Sequence, residues 1–286
     1  MNRALALSSE RLSFARVVLT VWLGRSALGW LLALPLIGII GASGVSQGLE
    51  ADRALFEAGG LWLAELVRLT ANELTSTSAA CWPYLLLAVA VRAVLQGMLL
   101  AQMRAPESGP AQSLRAALGE LWTLLAIAGC EIVGKGLWIV IIALIAGAIA
   151  DAGMVHNEAW RSLLPLLVAA IGSLGFGALG IAADVRRAVL FEFREIRGAA
   201  LRTVLDVVSE HAKLLASGYT LRAGIGALIL ACVARLVELV DVSQSGAWRV
   251  VSVLGLHQAA LLSLTLLDAL WLRRISACVQ PPASRL

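Results

Sequence analysis

The sequence predicts an all-α integral membrane bundle of six spans, and three observations carry the prediction. Hydrophobic residues make up 59% of the 286, charged residues 15%, and mean hydropathy is +0.85. A soluble domain averages roughly 45–50% apolar and 25% charged. Six apolar stretches are each long enough to cross a hydrocarbon core of about 30 Å. Arginine and lysine gather in alternate connections, as they do when those connections share one side of a membrane.

Span 1 is Val17–Ser43 and contains Pro35. Arg3, Arg11 and Arg16 precede it in the manner of a signal sequence, but the run exceeds the usual 7–15-residue signal core, so a retained span is expected. The longest polar connection, Gly44–Ala80, follows. Within it Leu55, Phe56, Trp62, Leu63, Leu66 and Val67 recur at helical spacing, predicting an amphipathic helix on the outer surface, and Thr75–Ser78 ends it. Span 2 is Cys81–Met103. A loop rich in Pro and Gly runs from Arg104 to Pro110, and a polar-faced stretch from Ser113 leads to span 3, Leu121–Ala150.

Span 4 is Trp160–Val185, with its helix continuing into an arginine block at Arg186, Arg187, Arg194 and Arg197. Span 5 is Leu214–Val240. Span 6, Trp248–Leu272, runs into Arg273 and Arg274. The whole chain is expected to form one membrane domain.

The N-terminus, the 2–3 and 4–5 connections and the C-terminus hold 14 basic residues, and the opposite connections hold Arg53, Arg68, Arg161 and Arg249. Both termini are therefore expected in the cytoplasm. Trp22, Trp122 and Trp271 at inner span ends and Trp82, Trp160 and Trp248 at outer ones agree with that phasing. Only Lys135 and Lys213 among the basic residues are lysine, a bias expected of a high-GC bacterial genome and hence of a bacterial inner membrane. The net charge of +4 does not imply nucleic-acid binding, because the basic residues are segregated to one side.

Charges inside an apolar span are costly, so each one is a candidate site. Glu131 and Lys135 stand four apart, in the order that favours pairing on one helix face. Lys135 and Arg222 lie nearer the cytoplasmic face, where long side chains snorkel to the headgroups, and that structural reading is expected of Arg25 and Arg222. Asp184 and Asp268 precede arginines and predict pairs with Arg187 and Arg273, giving a ring of ion pairs in the inner third of the bundle. Arg92 lies near the middle of span 2 and is expected to face the interior, with Glu131 or Asp184 as partner. His257 lies within span 6, either bonded to a neighbouring helix or part of a site. Arg92, Glu131, Lys135 and His257 are thus the candidate intramembrane set.

Ser173, Gly177, Gly180, Asp184 and Arg187 follow at helical spacing, so small residues form a packing seam that leads into the charges. A weak repeat pairs Arg92-Ala-Val-Leu with Arg187-Ala-Val-Leu, and the odd spans each carry one early basic residue, Arg25, Lys135 and Arg222. Either three hairpins derive from one unit, or the likeness is chance among Ala/Leu/Arg-rich helices.

The string Gly41-Ala42-Ser43-Gly44 matches the GxSG of rhomboid-type intramembrane proteases, but its serine ends a span instead of opening a buried helix. The glycines expected after the histidine are absent behind His257. A helix C-cap explains the string better. No HExxH, Walker A, GxGxxG or aspartate-rich metal motif occurs, and the cysteines Cys81, Cys130, Cys232 and Cys278 lack CxxC spacing.

No enzyme, cofactor or metal is therefore expected. The leading expectation is an accessory or scaffold subunit that meets anionic lipid headgroups at the cytoplasmic face and a protein partner or a second copy. The alternative is a small transporter or lipid-handling permease that uses the buried charges.

Overall fold

The computed structural model describes residues 2–42, 71–151, 158–193, 200–240 and 247–280. Those residues form eight helices and no strand: α1 (Asn2–Ala42), α2 (Ala71–Arg104), α3 (Pro110–Gly119), α4 (Leu121–Asp151), α5 (Glu158–Glu192), α6 (Ala200–Glu210), α7 (Ala212–Val240) and α8 (Ala247–Val279). Six of them, α1, α2, α4, α5, α7 and α8, are long and apolar enough to cross a membrane. The protein is a multi-pass membrane protein.

The expected spans lie within these helices, except that Ser43 at the end of span 1 lies outside the described residues, and with differences at three ends. The Thr75–Ser78 run does not end an element but lies inside α2, which starts at Ala71; no glycine or proline interrupts the chain before Pro83. Helix α5 takes in Arg186 and Arg187 and ends at Glu192, and Arg194 and Arg197 of the expected extension lie outside the described residues. Helix α8 continues past Arg273 to Val279, since Ile275, Cys278 and Val279 are buried and hold the extra turns. The predicted surface helix around Leu55–Val67 lies outside the described residues.

Successive spans pack as three hairpins, α1–α2, α4–α5 and α7–α8. Contacts of α2 with α4, of α5 with α7 and α8, and of α8 with α1 close them into a bundle. Helix α2 also reaches α5 and α8 across the middle.

Buried residues concentrate towards one end, here termed the base. There the starts of α1, α4 and α7 meet the ends of α2, α5 and α8. Val17, Val21, Met98, Leu99, Leu124, Val185, Leu215, Leu272 and Ile275 form its core. Towards the opposite end Val140 and Leu144 of α4, Leu228 and Leu239 of α7, and Val250 and Val251 of α8 are exposed, as suits side chains facing lipid.

Apolar contact gives helices little reason to associate in lipid, so close packing and polar links decide the arrangement. At the base, Gln102 is 1% exposed and donates to the Pro106 carbonyl (2.7 Å) and to Ser13 Oγ (3.1 Å). Its amide oxygen accepts from Ser108 (3.3 Å) and Ser113 (3.2 Å). One glutamine thus ties α1, α2 and α3 to the turn between them. Gly109 caps α3 and Pro110 opens it, where its missing N–H costs nothing.

Higher up, α4 and α5 are drawn together by Trp138, whose indole N–H donates to the Gly172 carbonyl at 3.1 Å. A Cβ on Gly175 would sit 2.1 Å from that indole, so only glycine admits the ring. Gly175→Val should therefore expel Trp138 and lower stability by about 1–3 kcal/mol. Gly172→Ala, where nothing lies within 4 Å, should be neutral or slightly stabilising. Thermal unfolding of the two variants in detergent checks the contrast.

Candidate functional site

The charges buried in the spans join into one alternating chain. Lys135 Nζ meets Glu131 at 2.5 Å, one turn away on α4. The other Glu131 oxygen accepts from Arg187 of α5 at 2.5 Å. Arg187 reaches Asp184 on its own helix at 2.8 Å. Asp184 faces Arg222 of α7 at 3.9 Å, and Arg222 grips Asp268 of α8 at 2.6 Å. Asp268 then binds Arg25 of α1, also at 2.6 Å. Five of the six spanning helices are linked in this way.

The i,i+4 and i,i+3 pairs come from helix geometry alone; the cross-helix links depend on packing. Gly177 and Gly180 are buried against Tyr219 of α7, where a Cβ on either would come within 3.1–3.2 Å of the ring. Their absent side chains let α7 approach and bring Arg222 to Asp184. Tyr219 stacks edge-on against Trp271 (centroids 5.8 Å apart), and the Trp271 indole N–H donates to Asp184 at 2.9 Å. Arg25 gains a further bond to Thr265 Oγ1 at 3.2 Å.

Pairing two buried charges costs desolvation, which is offset only when geometry is good and the remaining hydrogen-bonding capacity is used. Most links here meet that condition, and the Asp184–Arg222 contact is the loosest. It joins a tight group on α4–α5 to a tight group on α7, α8 and α1. Four cations alternate with three carboxylates, leaving one positive charge in excess.

One cavity lies against each of the two groups of the chain. One of about 150 Å³ lies between α2 and α4 and is lined by Arg92, Gln96, Glu131, Lys135 and Arg187. Another, of about 210 Å³, lies between α7 and α8 beside Tyr219, Arg222 and Asp268. Each has room for several waters and charged side chains on one wall to hold them.

Several expected positions are corrected. Asp268 does not pair with Arg273, which is exposed; five residues along a helix turn a side chain about 140° away. Arg25 and Arg222 do not snorkel but share Asp268. Arg92 does not reach Glu131 or Asp184. It is exposed at the mouth of the α2–α4 cavity and has no hydrogen bond or ion pair among the described residues.

Ser173 is exposed and bonds back to the Ala169 carbonyl (2.7 Å), so the packing seam consists of Gly177 and Gly180. His257 is exposed and bonds to the Val253 carbonyl of its own helix at 2.8 Å. It lines an apolar furrow of about 410 Å³ between α7 and α8, eleven residues from Asp268, and takes no part in the charge chain.

Trp271, Tyr219 and Thr265 are the participants that sequence inspection missed. Trp271 reads there as an interfacial anchor, and only its contact with Asp184 reveals its second use. Among the described residues no three metal-ligating side chains converge. None of the family models, curated proteins or solved structures compared with this chain matches it.

Asp268→Asn removes the carboxylate shared by Arg25 and Arg222. It should cost on the order of 3 kcal/mol, as expected when a buried pair loses one partner. Arg273→Ala should cost nothing measurable. Unfolding midpoints in detergent, or steady-state abundance in the membrane, separate the two.

Proposed function

We propose that this protein is a small permease that handles a charged substrate or lipid headgroup in its bundle interior. The observation that carries the proposal is the connected chain of charges with a cavity against each of its two groups, one bordered by Arg92, which has no partner among the described residues. A bundle needs no such excess of positive charge to fold, and each intramembrane charge carries an insertion penalty of about 2.5–3.5 kcal/mol. The loose Asp184–Arg222 contact gives the two charged groups a place to separate, as a rocking movement between substructures requires. In this proposal the base faces the cytoplasm of a bacterial inner membrane, following the arginine distribution.

A second reading rests on a different observation. Seven charges on five helices are satisfied mainly by one another, as in a lock that fixes helix order in a non-enzymatic accessory or scaffold subunit. Such a subunit works with a protein partner or a second copy.

The two readings part on movement across a bilayer. In proteoliposomes of phosphatidylethanolamine and phosphatidylglycerol, a permease should give a transient current on a jump in anion concentration, or flip fluorescent phosphatidylglycerol between leaflets. Arg92→Ala should abolish the signal while leaving the protein inserted and abundant. If neither signal occurs and gentle extraction yields a stoichiometric membrane-protein partner by native mass spectrometry, the accessory-subunit reading replaces the permease.

A further inference from the structure

We infer that the notch between α2 and α4 is an oxyanion site that takes the phosphate or carboxylate group of its ligand. The inference rests on the permease reading and names the chemistry which that reading leaves open.

The notch brings together three cations, Arg92, Lys135 and Arg187, against one carboxylate, Glu131. Both Glu131 oxygens are engaged, one by Lys135 and the other by Arg187, and Arg92 makes no bond to either. Arg187 is buried, its side chain only 4% exposed, and two of its nitrogens are used on Glu131 and Asp184. Its Nε is buried with no hydrogen-bond partner. An unsatisfied donor on a buried cation is costly, and so is a guanidinium halfway along a membrane span that has no partner among the described residues.

Arg92 stands ten residues from Trp82 and twelve from Arg104, at the ends of its apolar segment, so it lies close to the middle. The Arg92 guanidinium therefore stands at the mouth of the cavity without a partner among the described residues, and cations outnumber carboxylates three to one in the lining. The ligand that answers it is an anion with several acceptor oxygens. Planar guanidinium groups form their strongest, often paired, hydrogen bonds with carboxylate and phosphate. The buried amide side chain of Gln96 lines the same cavity. At about 150 Å³ the notch admits such a group with a few waters. A cation is disfavoured there, because three cations line the notch against one carboxylate.

The shared chemistry fits two sources, a free anion or an anionic lipid headgroup. The test is thermal unfolding of the purified full chain in a non-ionic detergent. One arm titrates inorganic phosphate and the other titrates dihexanoyl-phosphatidylglycerol, each against chloride at matched ionic strength. A ligand that binds only the folded protein raises the midpoint in a saturable way. Stabilisation by phosphate assigns a free anion, and stabilisation by the phospholipid alone assigns a headgroup.

Arg92→Gln should weaken the effective ligand about tenfold or more, the loss of roughly one charge-assisted contact. It should leave the midpoint without ligand unchanged, because Arg92 holds no protein group among the described residues. Arg92→Lys should restore part of the affinity. The inference is overturned if neither probe shifts the midpoint, or if Arg92→Gln binds as tightly as the parent chain. It is equally overturned if Arg92→Gln unfolds or releases a stoichiometric membrane-protein partner, since Arg92 would then hold structure or dock a carboxylate of that partner. Anion binding without movement in liposomes leaves this site standing and removes the permease reading. Movement without binding does the reverse.

Discussion

Asp184 is the residue on which the bundle's polar interior depends. It accepts from Arg187 on its own helix and from Trp271 of α8, and it faces Arg222 of α7. A carboxylate withdrawn from water survives only where donors surround it, and here three helices supply them. Everything that brings those donors within reach follows from small residues. Gly177 and Gly180 admit Tyr219, and a Cβ on Gly218 would come within 2.9 Å of the Trp271 ring. The glycines of α5 and α7 thus serve the electrostatics by letting large aromatic side chains lie against the backbone.

The bundle is uneven along its length for the same reason. At the base, apolar side chains interlock and Gln102 ties the turn to α1, so that end behaves as a packed core. Beyond the charge chain, contact is carried by isolated links such as Trp138 to Gly172, Trp22 to the Gln258 carbonyl (3.2 Å), and Ser26 to the Gln258 side chain (2.7 Å). Interhelical hydrogen bonds of this kind contribute on the order of 0.6 kcal/mol each in a membrane, so the far half is held weakly compared with the base. The charged layer lies between a rigid end and a looser one, where cavities are able to form.

Much of this organisation is legible in the sequence. Six apolar runs give six helices, because length and hydropathy alone decide what can cross a bilayer. Glu131–Lys135 and Asp184–Arg187 are legible because both partners sit on one helix and the spacing fixes their approach. Asp268 is not: its partners come from α1 and α7, and nothing local says which helices will neighbour α8. The nearest arginine in sequence is the wrong one, since Arg273 points to another side of the helix. Arg92 shows a different limit. Its depth is readable, but its outlook depends on where α2 and α4 part. Gly97 lies tight against Leu124 and Gln96 is buried, yet one turn farther along α2 Arg92 is exposed.

The bond from Arg25 to Asp268 spans 243 residues of sequence. Synthesis runs at about 5–20 residues per second, so Arg25 exists for roughly 12 to 49 seconds before its carboxylate does. During that interval the arginine has to be accommodated by water, headgroups or the insertion machinery, at an insertion penalty of about 2.5–3.5 kcal/mol. The first helix made is therefore completed by the last, and a chain interrupted before α8 carries an orphaned charge at its beginning. Such a fragment is marked as unfinished by its own electrostatics, a property that membrane quality control can detect without reading any other feature of the fold.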